Sequence, residues 1–223
     1  MGLGGRYVGQ HNQLIASRTY IFLMSYRTLY YAMENIFFDI SKLKKLGKNS
    51  IIGKTVRIRR PELVEIGRNS IIDDFAYISC QLTMGDFTHI SAGCHMIGGP
   101  KAKVTIGNFV NIAPNCNIVA GQNDYRGGEL VGPPIPEGYG GESDIAPIKI
   151  DDHVLLGCNV VVLPGVHLPE GVSVGAFSLL KKGEYKPWTL YAGIPAKELG
   201  KRDGTLIKKQ AEKLMEDARR GLL

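Results

Sequence analysis

An aliphatic side chain recurs at every sixth position through the middle of this chain, and this period restricts the fold more than any other feature. From Ile66 the steps of six run without a break to Met96, and the register resumes after short slips and one long insertion. A fixed short period over this length predicts a repeat architecture. The register has eighteen positions in six groups of three: Leu46, Ile52, Ile58, Ile66, Ile72, Ile78, Met84, Ile90, Met96, Ile106, Ile112, Ile118, Ile150, Leu156, Val162, Leu168, Val174 and Leu180.

The residue two positions before an aliphatic one is often small or β-branched, as Ser70, Cys94 and Val110 illustrate. Residues two apart in an extended chain point to the same side, so both of these positions face inward. Each six-residue unit therefore indicates one short strand and one corner, and three units close a triangular coil. Stacked coils pair as parallel strands about 4.8 Å apart. The sequence predicts an all-β solenoid, a parallel β-helix of about six coils over residues 46–185.

Two segments beyond this period are predicted to leave or close the solenoid. Residues 122–147 are rich in Gly and Pro and have no period, which favours a binding loop that leaves one corner of a coil over a disordered insertion. Residues 186–223 form a tail that ends in a predicted helix. Its apolar stripe and expected stop are Ile207, Ala211, Leu214, Ala218 and Gly221.

Residues 1–45 are predicted to form an N-terminal helical segment, because an apolar stripe runs from Phe22 to Leu43 at helical spacing. Three roles are open for this segment. It caps the solenoid, packs on a neighbouring subunit, or makes a peripheral membrane contact through residues 15–45.

The composition indicates a globular protein, with 44% hydrophobic and 22% charged residues. The apolar run near the N-terminus is too short to span a bilayer and no signal peptide is visible, so a cytoplasmic location is expected. The net charge of +6 favours a small anionic ligand over nucleic acid, because the basic residues form no single stripe in the sequence. The four cysteines form no CxxC pair, so we expect reduced thiols and no metal site.

The exit from the last coil carries the first specific resemblance. Lys182 follows the coil, and the segment Gly193-Ile-Pro-Ala-Lys197 comes shortly after it. This end resembles the acyl-CoA-binding end of the hexapeptide-repeat acyltransferases. The resemblance implies a left-handed parallel β-helix, a homotrimer and acetyl-CoA as co-substrate. The predicted coenzyme A contacts are Gly157, Ala176, Lys181, Lys182, Pro195, Lys197, Lys201 and Arg202.

These residue types suit coenzyme A for two physical reasons. Mobile cations on a tail can pair with its 3′-phosphate and diphosphate, and an arginine can donate two hydrogen bonds to one phosphate. Its narrow, amide-rich pantetheine arm can pair with backbone groups exposed beside small residues such as Gly157 and Ala176.

The segment Ile118-Val-Ala-Gly-Gln-Asn-Asp-Tyr125 is similar to the active-site segment of the sugar and polysaccharide acetyltransferases of this family, where a histidine often acts as general base. Asn123 stands at that position here, and an amide cannot accept a proton from a hydroxyl. An asparagine that supports the base in some relatives corresponds to Ser91. Asp124 and His95 are the candidates for a base that has moved. The predicted catalytic residues are Asn123, Asp124, His95 and Ser91.

A base is not required if the acceptor is an amine, since a neutral amine attacks a thioester without prior deprotonation. The asparagine therefore favours N-acetylation of a nucleotide-linked amino sugar in surface-polysaccharide or lipopolysaccharide biosynthesis. O-acetylation of a saccharide or small hydroxylated compound is the alternative. A non-catalytic scaffold and a zinc carbonic anhydrase on the same solenoid are weaker alternatives, and the spacing of His89 and His95 fits the zinc enzyme poorly.

Overall fold

The computed structural model describes residues 35–136, 138–141 and 143–222, which form a parallel β-helix. Each coil contributes one short strand to each of three parallel sheets. The first, second and third corners are the turns that follow the strands of the first, second and third sheets. Six complete coils and the start of a seventh are present, in agreement with the predicted architecture.

Strands are numbered in chain order. The first sheet contains β1 (Lys45–Leu46), β4 (Val64–Ile66), β7 (Gln81–Met84), β10 (Lys103–Ile106), β15 (Ile148–Ile150) and β18 (His167–Leu168). The second contains β2 (Ile51–Ile52), β5 (Ile71–Ile72), β8 (His89–Ile90), β11 (Asn111–Ile112), β16 (Leu155–Leu156), β19 (Ser173–Val174), β21 (Thr189–Gly193) and β22 (Ala196–Lys201). The third contains β3 (Arg57–Ile58), β6 (Tyr77–Ile78), β9 (His95–Ile97), β12 (Asn117–Val119), β17 (Val161–Val162) and β20 (Leu179–Leu180).

The six-residue register is the core of the protein. Seventeen of its eighteen aliphatic positions are buried, and the small or β-branched residues two positions earlier, such as Ser70 and Val110, are buried with them. Leu46 is the exception, with 41% of its surface exposed. It lies in the first strand, where a following coil covers the chain but no preceding coil does.

The first corner carries a stack of aromatic rings along the solenoid. Phe87 and Phe109 stack with centroids 5.4 Å apart, and the ring of His153 lies 5.1 Å beyond Phe109. Trp188 follows at 5.9 Å from His153. Gly171 occupies the intervening coil with φ +71°, and a Cβ there would lie 2.3 Å from the indole of Trp188. Glycine at this corner therefore leaves the space that the indole fills.

The N-terminal end of the β-helix is closed by residues 35–43. Leu43 is buried in the core, and Phe38 and Ile40 pack against it. Asn35 Nδ2 donates to the carbonyl oxygens of Gly53 at 3.2 Å and Val56 at 2.7 Å, which ties this segment to the first coil.

Within residues 35–45 the predicted N-terminal helix is wrong, because the helical structure there is a single 3-10 turn at Ile40–Lys42. Asp39 begins this turn by accepting from the backbone N–H of Ser41. A second 3-10 turn, Pro61–Leu63, precedes β4. The rest of the predicted helix, residues 1–34, lies outside the described residues.

The tail closes the C-terminal end. Strand β21 extends the second sheet by pairing parallel with β19, and β22 folds back antiparallel on β21 after the cis Ile194–Pro195 peptide. The predicted C-terminal helix is confirmed as α1, Thr205–Arg219. Within the three described ranges, no helix is long and apolar enough to cross a membrane.

Candidate active site

The insertion leaves the solenoid at the third corner of the fourth coil. Its base is a two-stranded antiparallel ladder of β13 (Gly121–Asn123) and β14 (Ser143–Ile145), in which Asn123 lies opposite Ser143. The backbone N–H of Ala146 donates to the carbonyl of Ala120 at 3.1 Å, so the chain re-enters the fifth coil where it left the fourth. Asn123 is half-buried at the mouth of the loop, a position from which an amide can hydrogen-bond a bound acceptor.

Asp124 is exposed and engaged by its own loop. Its Oδ1 accepts from the backbone N–H of Arg126 at 2.9 Å and from the guanidinium at 3.2 Å. These hydrogen bonds stabilise the carboxylate and lower the pKa of Asp124 below its ordinary value. A more acidic carboxyl is a weaker base, so this environment opposes proton abstraction by Asp124.

His95 projects from the outer face of the third sheet and lies against Asn117 of the next coil. Asn117 Nδ2 donates to the carbonyl of Asn115 at 3.3 Å, which turns its Oδ1 toward His95. His95 Nδ1 is 3.1 Å from that oxygen, so the hydrogen-bond network assigns the proton to Nδ1. Nε2 then carries the lone pair, which is the form of imidazole that acts as a general base.

His89 occupies the equivalent place on the second sheet. Its Nε2 lies 2.8 Å from Asp73 Oδ2 and its Nδ1 lies 3.1 Å from Asn111 Oδ1, so both ring nitrogens have partners. The two histidines therefore face outward from different sheets. Among the residues that the structure describes, no group of three or more His, Cys, Asp or Glu side chains could hold a metal ion.

The predicted catalytic residues do not converge within one chain. Ser91 is buried at the second corner, where its backbone N–H donates to the carbonyl of Ile112 at 2.9 Å. His95 lies on the third sheet, and Asn123 and Asp124 lie beyond the third corner. Asn117, which contacts His95, begins β12, and the loop starts at Gly121, beyond the end of that strand and the bend at Ala120.

Two of the predicted coenzyme A contacts meet at the second corner of the last coils. Gly157 and Ala176 are neighbours in adjacent coils, and a Cβ on Gly157 would lie 2.6 Å from the backbone nitrogen of Ala176. Glycine at position 157 is therefore required for the coils to approach this closely. Pro195 lies farther along, in the exposed turn between β21 and β22.

The predicted lysines are exposed at two places. Lys181 and Lys182 follow β20 at the third corner, the corner from which the insertion emerges. The stem of Lys182 passes over Gly165, whose added Cβ would lie 3.3 Å from Lys182 Cδ and 3.5 Å from Ala146 Cβ. Lys182 therefore lies beside the chain that returns from the insertion. Lys197 and Lys201 are on β22.

Arg202 differs from these lysines because its guanidinium is already engaged. Its Nη1 donates to the carbonyl oxygens of His153 at 2.7 Å and Gly171 at 3.0 Å, and its Cζ lies 5.7 Å from the centroid of Trp188. Burial lowers the pKa of Arg202. These contacts favour a structural role, in which Arg202 fastens the tail to the first corner.

Open clefts lie beside both regions. One of about 580 Å³ is inside the insertion and is lined by Gly128, Glu129, Leu130, Gly138 and Tyr139. Another of about 230 Å³ lies between α1 and the first corner, lined by Phe109, His153, Arg202, Ile207, Gln210, Ala211 and Leu214.

Sequence reasoning did not single out Asn117 or Trp188. Asn117 comes directly before Ile118 of the six-residue register, and His95 comes directly before Met96. This equivalent position in adjacent coils could have indicated that the two side chains meet.

Comparison with known proteins identifies relatives over most of the chain. No protein-family model matches it. The chain is 32% identical over 181 residues to the dTDP-4-amino-4,6-dideoxy-D-glucose acyltransferase of Escherichia coli, and the match covers 77% of this chain and 92% of that relative.

Solved structures match over a similar length. A single-residue mutant of the N-acyltransferase AntD from Bacillus cereus, in complex with dTDP-4-amino-4,6-dideoxyglucose and coenzyme A, has a TM-score of 0.73 and 30% identity, covering 82% of this chain and 100% of that one. Another AntD structure contains dTDP and 3-hydroxybutyryl-CoA. A maltose O-acetyltransferase from Clostridium difficile 630 shares the fold, with a TM-score of 0.50 and 19% identity over 88% of this chain and 92% of that one.

Proposed function

This chain belongs to the hexapeptide-repeat acyltransferase family, and from that premise we propose that it transfers a short acyl group from acyl-CoA to the amine of a nucleotide-linked amino sugar. The observation that carries the proposal is the match to AntD, which covers the whole of that enzyme and includes its complex with an amino sugar nucleotide and coenzyme A. The Escherichia coli relative is named for the same sugar nucleotide.

The chemistry at the loop mouth supports an amine acceptor. Asn123 replaces the histidine that relatives acting on hydroxyls often carry, and the Arg126 contacts weaken Asp124 as a base. A neutral amine needs no proton removed before it attacks the thioester carbonyl. Asn123 then acts as a hydrogen-bond donor that orients the acceptor or stabilises the oxyanion.

O-acylation is the second candidate, and the geometry of His95 favours it. The Asn117 hydrogen bond leaves the Nε2 lone pair of His95 as the basic site on an outward-facing ring. A sugar hydroxyl has a high pKa and needs such a base. The two candidates therefore differ in whether His95 is required.

For the donor we propose coenzyme A along the last coils, with its arm beside Gly157 and Ala176. Lys182 is best placed to contact either a phosphate of coenzyme A or its acyl end near the insertion, because Lys182 and the insertion lie at the same corner of the β-helix. Lys181, Lys197 and Lys201 supply further mobile cations, while Arg202 contributes mainly through the fold.

The proposal includes three further parts. The protein is a homotrimer in the cytoplasm, and it serves surface-polysaccharide or lipopolysaccharide synthesis. It also makes a peripheral membrane contact near the N-terminus. Support for the trimer comes from the family to which the chain belongs. Ser91 and Asn123 lie at different corners of one chain, so a site that used both would have to lie between subunits. Light scattering at micromolar concentration tests this assembly, and a monomer would contradict it.

The acceptor is tested by mass spectrometry with acetyl-CoA and two matched substrates, dTDP-4-amino-4,6-dideoxyglucose and the corresponding 4-hydroxy sugar nucleotide. We expect acetylation of the amine only, with a pH–rate profile that follows the amine. Asn123→Ala should lower the rate about ten- to a thousandfold, while His95→Asn should leave the shape of the profile unchanged.

His89→Asn is the matched control, because that histidine also contacts an asparagine but on another sheet. If His95→Asn abolishes turnover and removes a pKa near 6.5 while His89→Asn does not, O-acylation with His95 as base becomes the better assignment. Absence of acyl transfer to either class of acceptor would instead support a non-catalytic scaffold.

A further inference from the structure

The first coil carries a concentrated positive charge. Residues 42–60 contain eight Lys and Arg residues and no Asp or Glu, whereas residues 61–223 contain sixteen basic and nineteen acidic residues. The net charge of +6 therefore arises at one end of the β-helix. We call these eight residues the basic ring: Lys42, Lys44, Lys45, Lys48, Lys54, Arg57, Arg59 and Arg60.

The fold distributes the basic ring around the whole coil. Lys45 lies on the first sheet, Lys48 at the first corner, Lys54 at the second corner and Arg57 on the third sheet, and all four are exposed. Across the described ranges, the ion pair made by the ring joins Lys44 to Glu65 at 2.6 Å. The sequence alone suggested no stripe of charge, but coiling turns this run of residues into a rim around the N-terminal end.

Large apolar side chains are exposed at the same end. Ile36 is 58% exposed, Phe37 51% and Leu46 41%. The guanidinium of Arg57 lies 5.7 Å from the centroid of the Phe37 ring. Residues 35–43 thus bury one set of apolar side chains in the core and present another set outward, among the cations.

Deepening the peripheral membrane contact included in the proposed function, we propose that this end of the β-helix docks on an anionic lipid bilayer. Lipid phosphates attract the basic ring, and each cation near such a surface strengthens binding about fivefold. Apolar side chains beside cations favour the boundary between headgroups and acyl chains. A rim that encircles the end of a prism fits a plane, whereas a nucleic acid duplex favours a stripe or groove and provides no apolar partner for Ile36 and Phe37.

Docking at this end leaves the other end accessible. The first and sixth coils are separated by five strand spacings, about 24 Å. The proposed coenzyme A contacts on the last coils therefore remain open to solvent, and the membrane proposal does not depend on which acceptor the enzyme uses.

Co-sedimentation of the full chain with vesicles tests the proposal. We expect binding to phosphatidylcholine vesicles that contain 30% phosphatidylglycerol, little binding to phosphatidylcholine alone, and weaker binding as salt increases. The triple variant Lys45→Glu, Lys48→Glu, Lys54→Glu should bind at least about a hundredfold more weakly. The matched control Lys209→Glu, Lys213→Glu, Arg219→Glu makes the same change in net charge on α1 and should retain binding.

Circular dichroism and the urea midpoint test whether both triple variants are folded, and neither measurement depends on acyl transfer. If the first does not fold, the single variants Lys48→Gln and Lys54→Gln should each reduce binding about fivefold. Phe37→Ser should weaken the binding that persists at high salt. Equal binding to neutral vesicles, equal loss in the α1 variant, or tighter binding to duplex nucleic acid than to anionic vesicles at the same salt would overturn the proposal.

Discussion

Replacing Arg202 by methionine should destabilise the protein by about 3.5 to 4 kcal/mol. The guanidinium donates to the carbonyl oxygens of His153 and Gly171, which come from two successive coils, and it lies over the ring of Trp188. Methionine keeps an apolar stem of similar length but supplies no donor. The variant therefore removes the polar contacts that join the tail to the first corner while leaving the packing nearly intact.

The magnitude follows from these contacts. A hydrogen bond from a charged donor contributes about 1.5 to 3 kcal/mol, and Arg202 makes two, for which partial exposure favours the lower value. A cation over an indole adds about 0.5 to 1 kcal/mol at a partly exposed site. The backbone hydrogen bond from the Arg202 N–H to the Trp188 carbonyl, at 2.8 Å, is retained in the variant.

Urea unfolding measures this loss with two signals at one protein concentration. Far-UV circular dichroism reports the sheets, and fluorescence reports Trp188, the single tryptophan of the chain, which lies under the guanidinium. Lys201→Met is the control, because that neighbouring side chain is exposed on β22. It should leave the free energy of unfolding within about 0.5 kcal/mol of the parent value.

Calorimetry with coenzyme A separates the structural role of Arg202 from a binding role. We expect Arg202→Met, measured well below its unfolding transition, to lose less affinity than Lys182→Met. Unchanged stability together with a more than tenfold loss of coenzyme A affinity would refute the structural role and assign the guanidinium to the phosphates.

Three further predictions concern the corners and the thiols. Burial lowers the pKa of His153 in the folded protein. The contribution of neutral His153 to stability is therefore complete above the unfolded pKa of about 6.5 and is lost as the pH falls through the lower native value. In His153→Phe this loss between pH 7.5 and pH 5 should be absent from the urea midpoints. Gly171→Ala should cost at least about 2 kcal/mol because its Cβ meets Trp188 at positive φ, whereas Gly183→Ala, with its nearest atom at 3.8 Å, should cost little. Native protein should expose one reactive thiol to Ellman's reagent, that of Cys158. Cys94 and Cys116 are buried, and burial also raises the pKa of Cys80 to about 12. These three thiols should react only in urea.

The fold could be predicted because the repeat records burial directly in the sequence. A residue such as Ile112 is inward-facing whatever its neighbours are, since strand and corner lengths are fixed by the period of six. The slip before Ile106 and the insertion before Ile150 lengthen a coil without changing its register. The prediction that both residues face inward is therefore confirmed. Leu46 is exposed because it lies in the edge strand that begins the first sheet, and the period does not specify where the stack begins.

The segment before the first coil was less predictable. The apolar stripe that includes Ile36, Ile40 and Leu43 has helical spacing, but these residues form an irregular cap with bends and one 3-10 turn. Packing across the open end of the core and the hydrogen bonds from Asn35 outweigh the weak local preference for a helix. Periodicity over a few residues therefore identified which side chains are apolar but not the backbone that carries them.

The chemical roles of the candidate residues depend on contacts between coils. His95 has a defined basic nitrogen only because Asn117, 22 positions later, stacks above it, and Arg202 reaches the carbonyl of His153 across 49 positions. The sequence by itself determined the core, the sheets and the location of the insertion, because these follow from period and composition. Only the tertiary structure decided which polar groups meet, since stacking brings together residues whose separation depends on every slip and insertion between them.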